Sequence, residues 1–248
     1  MPGRAGCVGG RAIEAALRRV ITAGDLSVGT LAEVCRCCVE GLAVTAVSVS
    51  LRTAANPEGG SVASGPLAEL MTELQLVLGQ GPAVEAYGRG RPVLVADLDE
   101  AVSRWPEFTS TALEAGVRAV FAFPLQVGVV LLGVLCLFRD QAGALGDPGF
   151  ADAMVAGDLV TELVLAMQAQ APPGPLAGAL DALFEPRVVV HQATGRISAQ
   201  LKVGVDEALV RLRAFAFALD QPLEDLARQV VDGTVRFDGQ DEPRSTEV

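Results

Sequence analysis

The apolar stretch VFAFPLQVGVVLLGVLCLF, residues 120–138, constrains the fold of this chain more than any other segment. Its length is close to the roughly 20 apolar residues with which a helix spans a bilayer. Pro124, Gln126 and Gly128 interrupt it, and β-branched or aromatic residues lie on both sides of the interruption. This pattern favours two buried strands joined by a tight turn, and a membrane span is the alternative.

The segments around this hairpin predict an α+β domain with an antiparallel sheet flanked by helices. The stretch AVTAVSVSLRT is β-branched and alternating, which predicts a strand. The stretch GQGPAVEAYGRGRPVLVADL is a glycine-punctuated loop with a short helix and a strand. Helical periodicity is found in GRAIEAALRRVITA, SVGTLAEVCRCCVEGL, GPLAELMTELQLVL, WPEFTSTALEAG and GFADAMVAGDLVTELVLAMQAQ.

This order of elements, with the segment LGQGPAVEAYGRGRPVLVADL, resembles the GAF domain family over residues 10–170. The LGQGP start is close to the LGEGP of actinobacterial members, and Ala83 stands where relatives usually carry a small or cysteine residue. The resemblance implies a sensory domain with an unknown small-molecule ligand. Tyr87 and Trp105 are candidate pocket residues, with plain core packing as the alternative.

The residue types available in the front domain exclude several kinds of ligand site. Its sequence contains no histidine before His191, so haem with an axial histidine, bilin chromophores and imidazole-ligated metals are not expected. The Asn-Lys-Phe-Asp-Glu set associated with cyclic-nucleotide binding in some GAF domains is also absent. We therefore expect no cofactor and no metal.

Three cysteines, Cys35, Cys37 and Cys38, lie together in a segment with helical periodicity. On a helix Cys35 and Cys38 share a face, while Cys37 is turned away by about 100° from Cys38. Packing of small apolar thiols against the sheet is the favoured interpretation. A thiol enzyme that reduces methionine sulfoxide is the competing one, although neighbouring thiols on one helical turn exchange poorly. We do not expect an enzyme.

The proline-rich stretch AQAPPGPLAGAL separates two regions of different charge. The predicted division is a sensory domain at 10–170, a linker at 171–183, a helical domain at 184–237 and a flexible tail at 238–248. The formal net charge of the chain is −11, whereas residues 187–237 hold seven basic and six acidic residues. The helical domain is thus the only region that is not acidic.

The helical domain is predicted to contain three helices, the first from Pro186 to about Lys202. Apolar residues mark its buried side: Val190, Ala193, Ile197 and Leu201. Polar residues and one glycine follow a second stripe along the helix: Arg187, His191, Thr194, Gly195, Ser198 and Lys202. Gly195 inside a helix costs about 1 kcal/mol relative to alanine, so a close approach by another helix or a ligand is expected there.

The stretch HQATGRISAQLKVGVDEALVRLRAFAFALDQPLEDLARQVV resembles the ANTAR domain, an output module of bacterial antitermination regulators. The resemblance rests on three short motifs, one for each helix: Ala193 with Gly195, Glu207-Ala208 with Leu212-Arg213, and Leu223 with Leu226-Ala227. Three positions depart from the usual family pattern: Thr194, Arg196 and Gly204. An acidic protein can still bind RNA through this region, because physiological salt screens the negative charge of the front domain beyond ~8 Å.

Together the two resemblances imply a cytoplasmic transcription antiterminator of the actinobacterial GAF and ANTAR type, which acts as a homodimer and binds RNA hairpins. No signal peptide or membrane association is expected. Self-association is expected through the helix at 150–170, the N-terminal helix, or both. A sensor whose C-terminal helices only dimerise or bind protein is the alternative function. The candidate RNA-binding residues are His191, Gln192, Thr194, Gly195, Arg196, Lys202, Arg211 and Arg213.

Overall fold

The apolar stretch at 120–138 forms the centre of a β-sheet, as predicted. In a computed structural model of the protein, strands β4 (Ala119–Val127) and β5 (Val130–Arg139) pair in antiparallel around a turn at Gly128, whose φ is +58°. The structure describes residues 10–24, 26–52, 60–169, 178–219, 221–237 and 244–245. Among the helices of these ranges, none is long and apolar enough to cross a bilayer.

Five antiparallel strands make up the sheet of the front domain, in the order β2-β1-β5-β4-β3. The three further strands are β1 (Ala46–Leu51), β2 (Gly60–Ala63) and β3 (Val93–Val95). At Gly133 the backbones of β1 and β5 lie so close that a methyl group there would come within 2.0 Å of the Ser50 carbonyl oxygen. Glycine is therefore required at this point of the register between β1 and β5.

Helices cover both faces of the sheet, because successive strand residues point to opposite faces and both sets are apolar. One face packs against α1 (Gly10–Ala23), α2 (Val28–Gly41) and α6 (Gly146–Ala169). The other face packs against α3 (Pro66–Leu78), α4 (Pro82–Arg89) and α5 (Pro106–Glu114). The predicted antiparallel sheet flanked by helices is confirmed.

The C-terminal domain contains three helices, α7 (Gly178–Leu201), α8 (Val205–Ala218) and α9 (Leu223–Asp232). They are followed by a short antiparallel pair, β6 (Val235–Arg236) and β7 (Arg244–Ser245), so two residues of the predicted flexible tail form a strand. The prediction that the first of the three helices begins at Pro186 is wrong, because α7 begins at Gly178 and continues through the proline. The predicted linker is correspondingly shortened at its C-terminal end. The alanines, leucines and glutamate of GALDALFE favour a helix that begins before Pro186. The proline lacks an N–H group and so removes one backbone hydrogen bond of this helix.

A single apolar cluster holds the three C-terminal helices together. It also includes two residues of α3 from the front domain, Leu76 and Val77. The two domains are therefore in contact through α3, and α7 also contacts β2, α2 and α6 of the front domain. The members from the C-terminal helices include Val190, Ala193, Ile197, Ala208, Leu212, Ala216, Leu223, Leu226, Ala227 and Val230.

Candidate functional site

The exposed side of α7 and the residue directly after this helix include four of the candidate RNA-binding residues. Gln192, Gly195, Arg196 and Lys202 are exposed. An alanine methyl group at Gly195 would have no neighbour within 4 Å, so no part of the described chain covers this glycine. The expected close approach at Gly195 is thus not made within the described part of the chain.

Thr194 does not belong to this surface, and its placement on a solvent-facing stripe is wrong. Its side chain is only 2% exposed and donates a hydrogen bond of 2.7 Å to the carbonyl oxygen of Val190. A helix turns by 100° per residue, so Thr194 lies beside the buried Ala193 and Ile197. Bonding its hydroxyl to the preceding turn satisfies the buried polar group.

The C-terminal end of α7 places Lys202 at the surface in an unusual backbone conformation. Lys202 has φ of +55°, the left-handed region in which glycine is normally found at a helix end. The amide of Val203 donates to the Ser198 carbonyl oxygen, and the Ser198 hydroxyl donates to the Val203 carbonyl oxygen. These two bonds close the turn between α7 and α8 and fix the direction of the lysine.

Arg196 is exposed but has an internal partner. Its guanidinium donates to the carbonyl oxygen of Val231, in the last turn of α9. A positive charge at the C-terminal end of a helix is stabilised by the helix dipole. Arg196 thus joins α7 to α9, and its guanidinium is oriented by that bond.

The two candidate arginines of α8 lie in different surroundings. Arg211 forms an ion pair of 2.7 Å with Glu207 one turn earlier, and both side chains are well exposed. Arg213 is half-buried and lies against the front domain, where a methyl group at Gly79 would come within 3.2 Å of its Nη1 atom. The side chain of His191 lies outside the described residues.

A small cavity lies between the sheet and helices α3 and α4 of the front domain. Its volume is about 30 Å³, which has room for about one water molecule. Small-molecule sites usually measure roughly 300–1,000 Å³, so a ligand has to enlarge this cavity. The cavity is lined by Ser50, Arg52, Thr72, Gln75, Leu76, Ala83, Val84, Tyr87, Gly133 and Val134.

Gln75 is the central polar group of this cavity and is 3% exposed. Its Oε1 atom accepts a bond of 2.7 Å from the amide of Ala83, and its Nε2 donates to the carbonyl oxygen of Met71. The side chain therefore connects α3 to the first turn of α4. Gly81, with φ of +133°, allows this contact because any methyl group there would overlap Gln75. The glycine-rich GQGP segment is thus a turn between two helices.

The two candidate pocket residues have different positions. Tyr87 lines the cavity, with the guanidinium of Arg52 4.8 Å from the centre of its ring. Trp105 is 4% exposed and packs edge to face with Phe108 in the core. The cavity residues Thr72 and Gln75 were not anticipated from the sequence. The only feature of the sequence that could have indicated them is that each is a polar residue on an otherwise apolar face of a helix.

The thiols of the cysteine cluster are packing groups. Cys35 and Cys38 are fully buried in the core below the sheet, and Cys37 is half-exposed, as the helical spacing predicted. Burial raises the pKa of Cys35 above its ordinary value of 9.0 to about 12, and burial also raises the pKa of Cys38. Thiols held in the neutral form are poor nucleophiles. This arrangement gives no support to thiol catalysis.

Comparison with protein families identifies both domains. The GAF domain family model matches residues 27–156, and the ANTAR domain model matches residues 179–231. A search of curated proteins finds no match. Among solved structures, the GAF domain of a phosphoenolpyruvate-protein phosphotransferase from Coxiella burnetii is similar to the front domain. It has a TM-score of 0.53 and 16% identity, and the match covers 67% of this chain and 98% of that one.

Two further solved structures resemble the front domain more weakly. A domain of a two-component sensor histidine kinase protein from Sinorhizobium meliloti has 20% identity and a TM-score of 0.44, over 64% of this chain and 94% of that one. A free methionine-R-sulfoxide reductase from Neisseria meningitidis has 20% identity and a TM-score of 0.47, over 66% and 90%. The family matches and the observed sheet agree, and the chain belongs to the GAF domain family and carries an ANTAR domain over residues 179–231.

Proposed function

We propose that this protein is a ligand-responsive transcription antiterminator that binds RNA hairpins through the exposed side of α7 and the start of α8. Nascent transcripts place this activity in the cytoplasm, and the LGQGP segment favours a regulator of the actinobacterial type. The ANTAR match supports RNA as the partner, and the GAF match supports a small-molecule ligand. Both domains are regulatory modules, which agrees with the neutral, buried thiols.

One observation carries the proposal: Gly195 in α7 and Lys202, which directly follows α7, are both exposed and each has a local conformational cost. Gly195 weakens the helix by about 1 kcal/mol relative to alanine, yet its surroundings are open. Lys202 has a left-handed backbone, which costs about 1 kcal/mol or more for a residue with a side chain. A partner that approaches the α7 backbone at Gly195 and meets the Lys202 ammonium group would account for both.

RNA fits this surface chemically. The Lys202 ammonium and the Arg211 guanidinium can each meet a phosphate, and Arg211 would exchange its Glu207 partner for it. The exposed amide of Gln192 can pair with the edge of an unstacked loop base. We retain His191 and Arg196 in the proposed surface. Thr194 acts through packing because its side chain is buried.

The substitution Gly195→Ala tests the surface directly. An alanine in the open helical position should raise the free energy of unfolding by about 0.5–1 kcal/mol. The same methyl group should obstruct a closely bound RNA backbone and weaken hairpin affinity by about tenfold or more. Urea unfolding and fluorescence anisotropy measure the two effects. The RNA carries two consecutive hairpins whose loops are selected from a randomised pool by the wild-type protein.

Gly88→Ala is the matched control, because Gly88 is also an exposed helical glycine with no atom near its missing side chain. It should raise stability by a similar amount and leave RNA affinity unchanged. If Gly195→Ala binds RNA as tightly as the wild type, the α7 surface is not the RNA interface. If the wild-type protein selects no hairpin at all, the proposed function is wrong.

Exposed apolar residues on α8 favour a second candidate, a sensor whose C-terminal helices only dimerise or bind protein. Val210 is 59% exposed and Phe217 is 49% exposed, and their spacing of seven residues puts them on one side of α8. Such a side is typical of helix association. The anisotropy experiment separates the two candidates, because only the antiterminator shows RNA binding that weakens steeply with salt.

A further inference from the structure

Helix α3 of the front domain has two sides with different partners. One side lines the small cavity with Thr72, Gln75 and Leu76. The other side contacts the C-terminal domain through Glu73 and Val77. Leu76 belongs to both sets, because it lines the cavity and is also a member of the C-terminal apolar cluster. A shift of α3 therefore changes the cavity and the domain contact together.

The carboxylate of Glu73 contacts the N-terminal end of α9. Its Oε1 atom accepts a hydrogen bond of 3.2 Å from the amide of Leu223, the first residue of that helix. The residue before it, Pro222, supplies no side-chain cap. Amide groups at a helix N-terminus need an acceptor, and a negative charge is favourable there. The front domain thus provides a cap that α9 lacks within its own domain.

The same contact covers one candidate RNA-binding residue. The guanidinium of Arg213 lies at the C-terminal end of α3, against Gly79 and beside Gln80 and Glu107. The Nε atom of Arg213 is buried in this position, so the docked arrangement leaves an RNA phosphate access to only part of the guanidinium. Docking of the C-terminal domain on α3 therefore competes with binding of RNA through Arg213.

The apolar part of the α3 contact is small, which suits a reversible contact, and α7 also contacts β2, α2 and α6 of the front domain. Among the described residues of the front domain, only Leu76 and Val77 belong to the C-terminal apolar cluster. Grooves of about 330 and 480 Å³ flank the contact, and Phe217, which is 49% exposed, lines both of them. Tight, obligate interfaces exclude such grooves.

We propose that α3 holds the ANTAR domain in a docked state with restricted RNA binding, and that a ligand in the enlarged cavity releases it. This inference rests on the proposed function. A ligand has to separate α3 from α4, because the Gln75 bond to the Ala83 amide closes the cavity. Moving α3 withdraws Glu73 from α9 and Gly79 from Arg213. Coupling of this kind is reciprocal, so RNA should also favour ligand binding.

The double substitution Glu73→Ala with Val77→Ser tests the docking contact in the full-length protein. Hydrogen exchange measured by mass spectrometry should become faster at the first amides of α9, and affinity for the selected two-hairpin RNA should rise about fivefold or more, within the usual range of allosteric coupling. Glu73→Ala alone should give smaller changes of the same sign. Glu69→Ala is the control, since Glu69 is an exposed carboxylate of the same helix.

The outcomes distinguish this inference from the proposed function. Faster exchange at α9 with unchanged RNA affinity means that the contact is only structural, and it overturns the inference while RNA binding stands. Unchanged exchange overturns the docking contact itself. Absence of RNA binding in the wild type and in all variants rejects the proposed function together with the inference.

The link from the cavity to α9 needs a test that does not depend on an unidentified ligand. Ala83→Leu adds three carbon atoms at the cavity wall and should push α4 away from α3. We expect exchange at the start of α9 to become faster, as in the docking variant, with the thermal transition still cooperative. A folded Ala83→Leu protein with wild-type exchange at α9 overturns the coupling.

Discussion

Lys202 combines three properties that set it apart from the other cations of the ANTAR domain. It is exposed, it follows the last turn of α7, and its φ is +55°. Within the described residues it has no ion-pair partner, whereas Arg211 and Arg228 bind carboxylates one turn away. Glycine would be the more stable residue at this helix end. On the proposed function, an RNA phosphate that meets the ammonium group would explain why a lysine is found here.

Replacing Lys202 with glycine should therefore stabilise the protein and weaken RNA binding at once. Relief of the left-handed backbone should raise the free energy of unfolding by about 0.5–1 kcal/mol. Loss of one phosphate contact should reduce the slope of log affinity against log salt by about 0.7–0.9. Lys202→Arg keeps both the charge and the strained backbone and should retain the slope. A glycine variant with unchanged salt dependence would remove Lys202 from the interface.

The buried thiols predict a loss of stability at alkaline pH. Burial raises the pKa of Cys35 and of Cys136 from 9.0 to about 12, so folding favours the protonated form. The stabilisation is complete below pH 9 and is lost as pH rises from 9 towards 12. Each thiol contributes a slope of up to about 1.4 kcal/mol per pH unit in this window.

Urea unfolding at pH 8 and pH 10 measures this loss in reducing buffer. The chain contains a single tyrosine, so few other groups titrate in the same range. Cys35→Ala and Cys136→Ala should each make the decline shallower, and Cys37→Ala should have a smaller effect of the same sign, because burial also raises the pKa of Cys37 but its site is half-exposed. Equal stability of the wild-type protein at the two pH values would contradict the prediction.

At the scale of elements, the sequence correctly predicted the helices and strands that have a strong hydrophobic periodicity. The β4–β5 hairpin and helices α1, α2, α3, α5 and α6 follow from alternating or 3.6-residue patterns whose apolar faces are buried as expected. Strand β2 has only four residues and little apolar character, so it was not predicted. The start of α7 was misplaced because a proline is a common first-turn residue, and here it lies inside the helix.

Local patterns could not predict the parts of the candidate site that depend on tertiary contacts. Thr194 looks polar in sequence, yet tertiary packing buries it, and its hydroxyl is satisfied by a bond to its own helix. The position of Arg213 depends on Gly79, which is 134 residues earlier in the chain. The closed cavity depends on the Gln75 bond to a neighbouring helix. The hydrophobic periodicity of a single helix or strand cannot predict contacts between different elements.

At the scale of the whole molecule, charge is divided between the domains in a way that suits a docked and a released state. The front domain is acidic, and the segment 187–237 is nearly neutral, with Arg196, Lys202 and Arg228 exposed. Glu73 of the front domain contacts α9, and Glu107 lies beside Arg213. Of these two carboxylates, Glu107 thus lies close to a candidate RNA-binding cation. On our proposal, release of the domain contact would free Arg213 for a phosphate, so RNA binding would compete with docking.

Self-association remains a prediction, and the structure shows where each candidate surface lies. The apolar residues Ile13 and Leu17 of α1 are buried within the domain. Helix α6, in contrast, exposes Phe150, Met154 and Leu165, whose spacings of 4 and 11 residues place them along one side. We therefore expect dimerisation through α6. Sedimentation velocity at micromolar concentration should detect the dimer.

The double variant Met154→Glu with Leu165→Glu should give monomers, because two carboxylates at the centre of an apolar helix contact cannot be buried unpaired. The matched variant Val210→Glu with Phe217→Glu adds the same charge to α8 and should remain dimeric. The opposite result would place the dimer contact in the ANTAR domain, beside the grooves that flank α3. In that case dimerisation and docking would use the same side of α8, and dimers should form only after the domain is released. A wild-type protein that stays monomeric with and without RNA would contradict both arrangements.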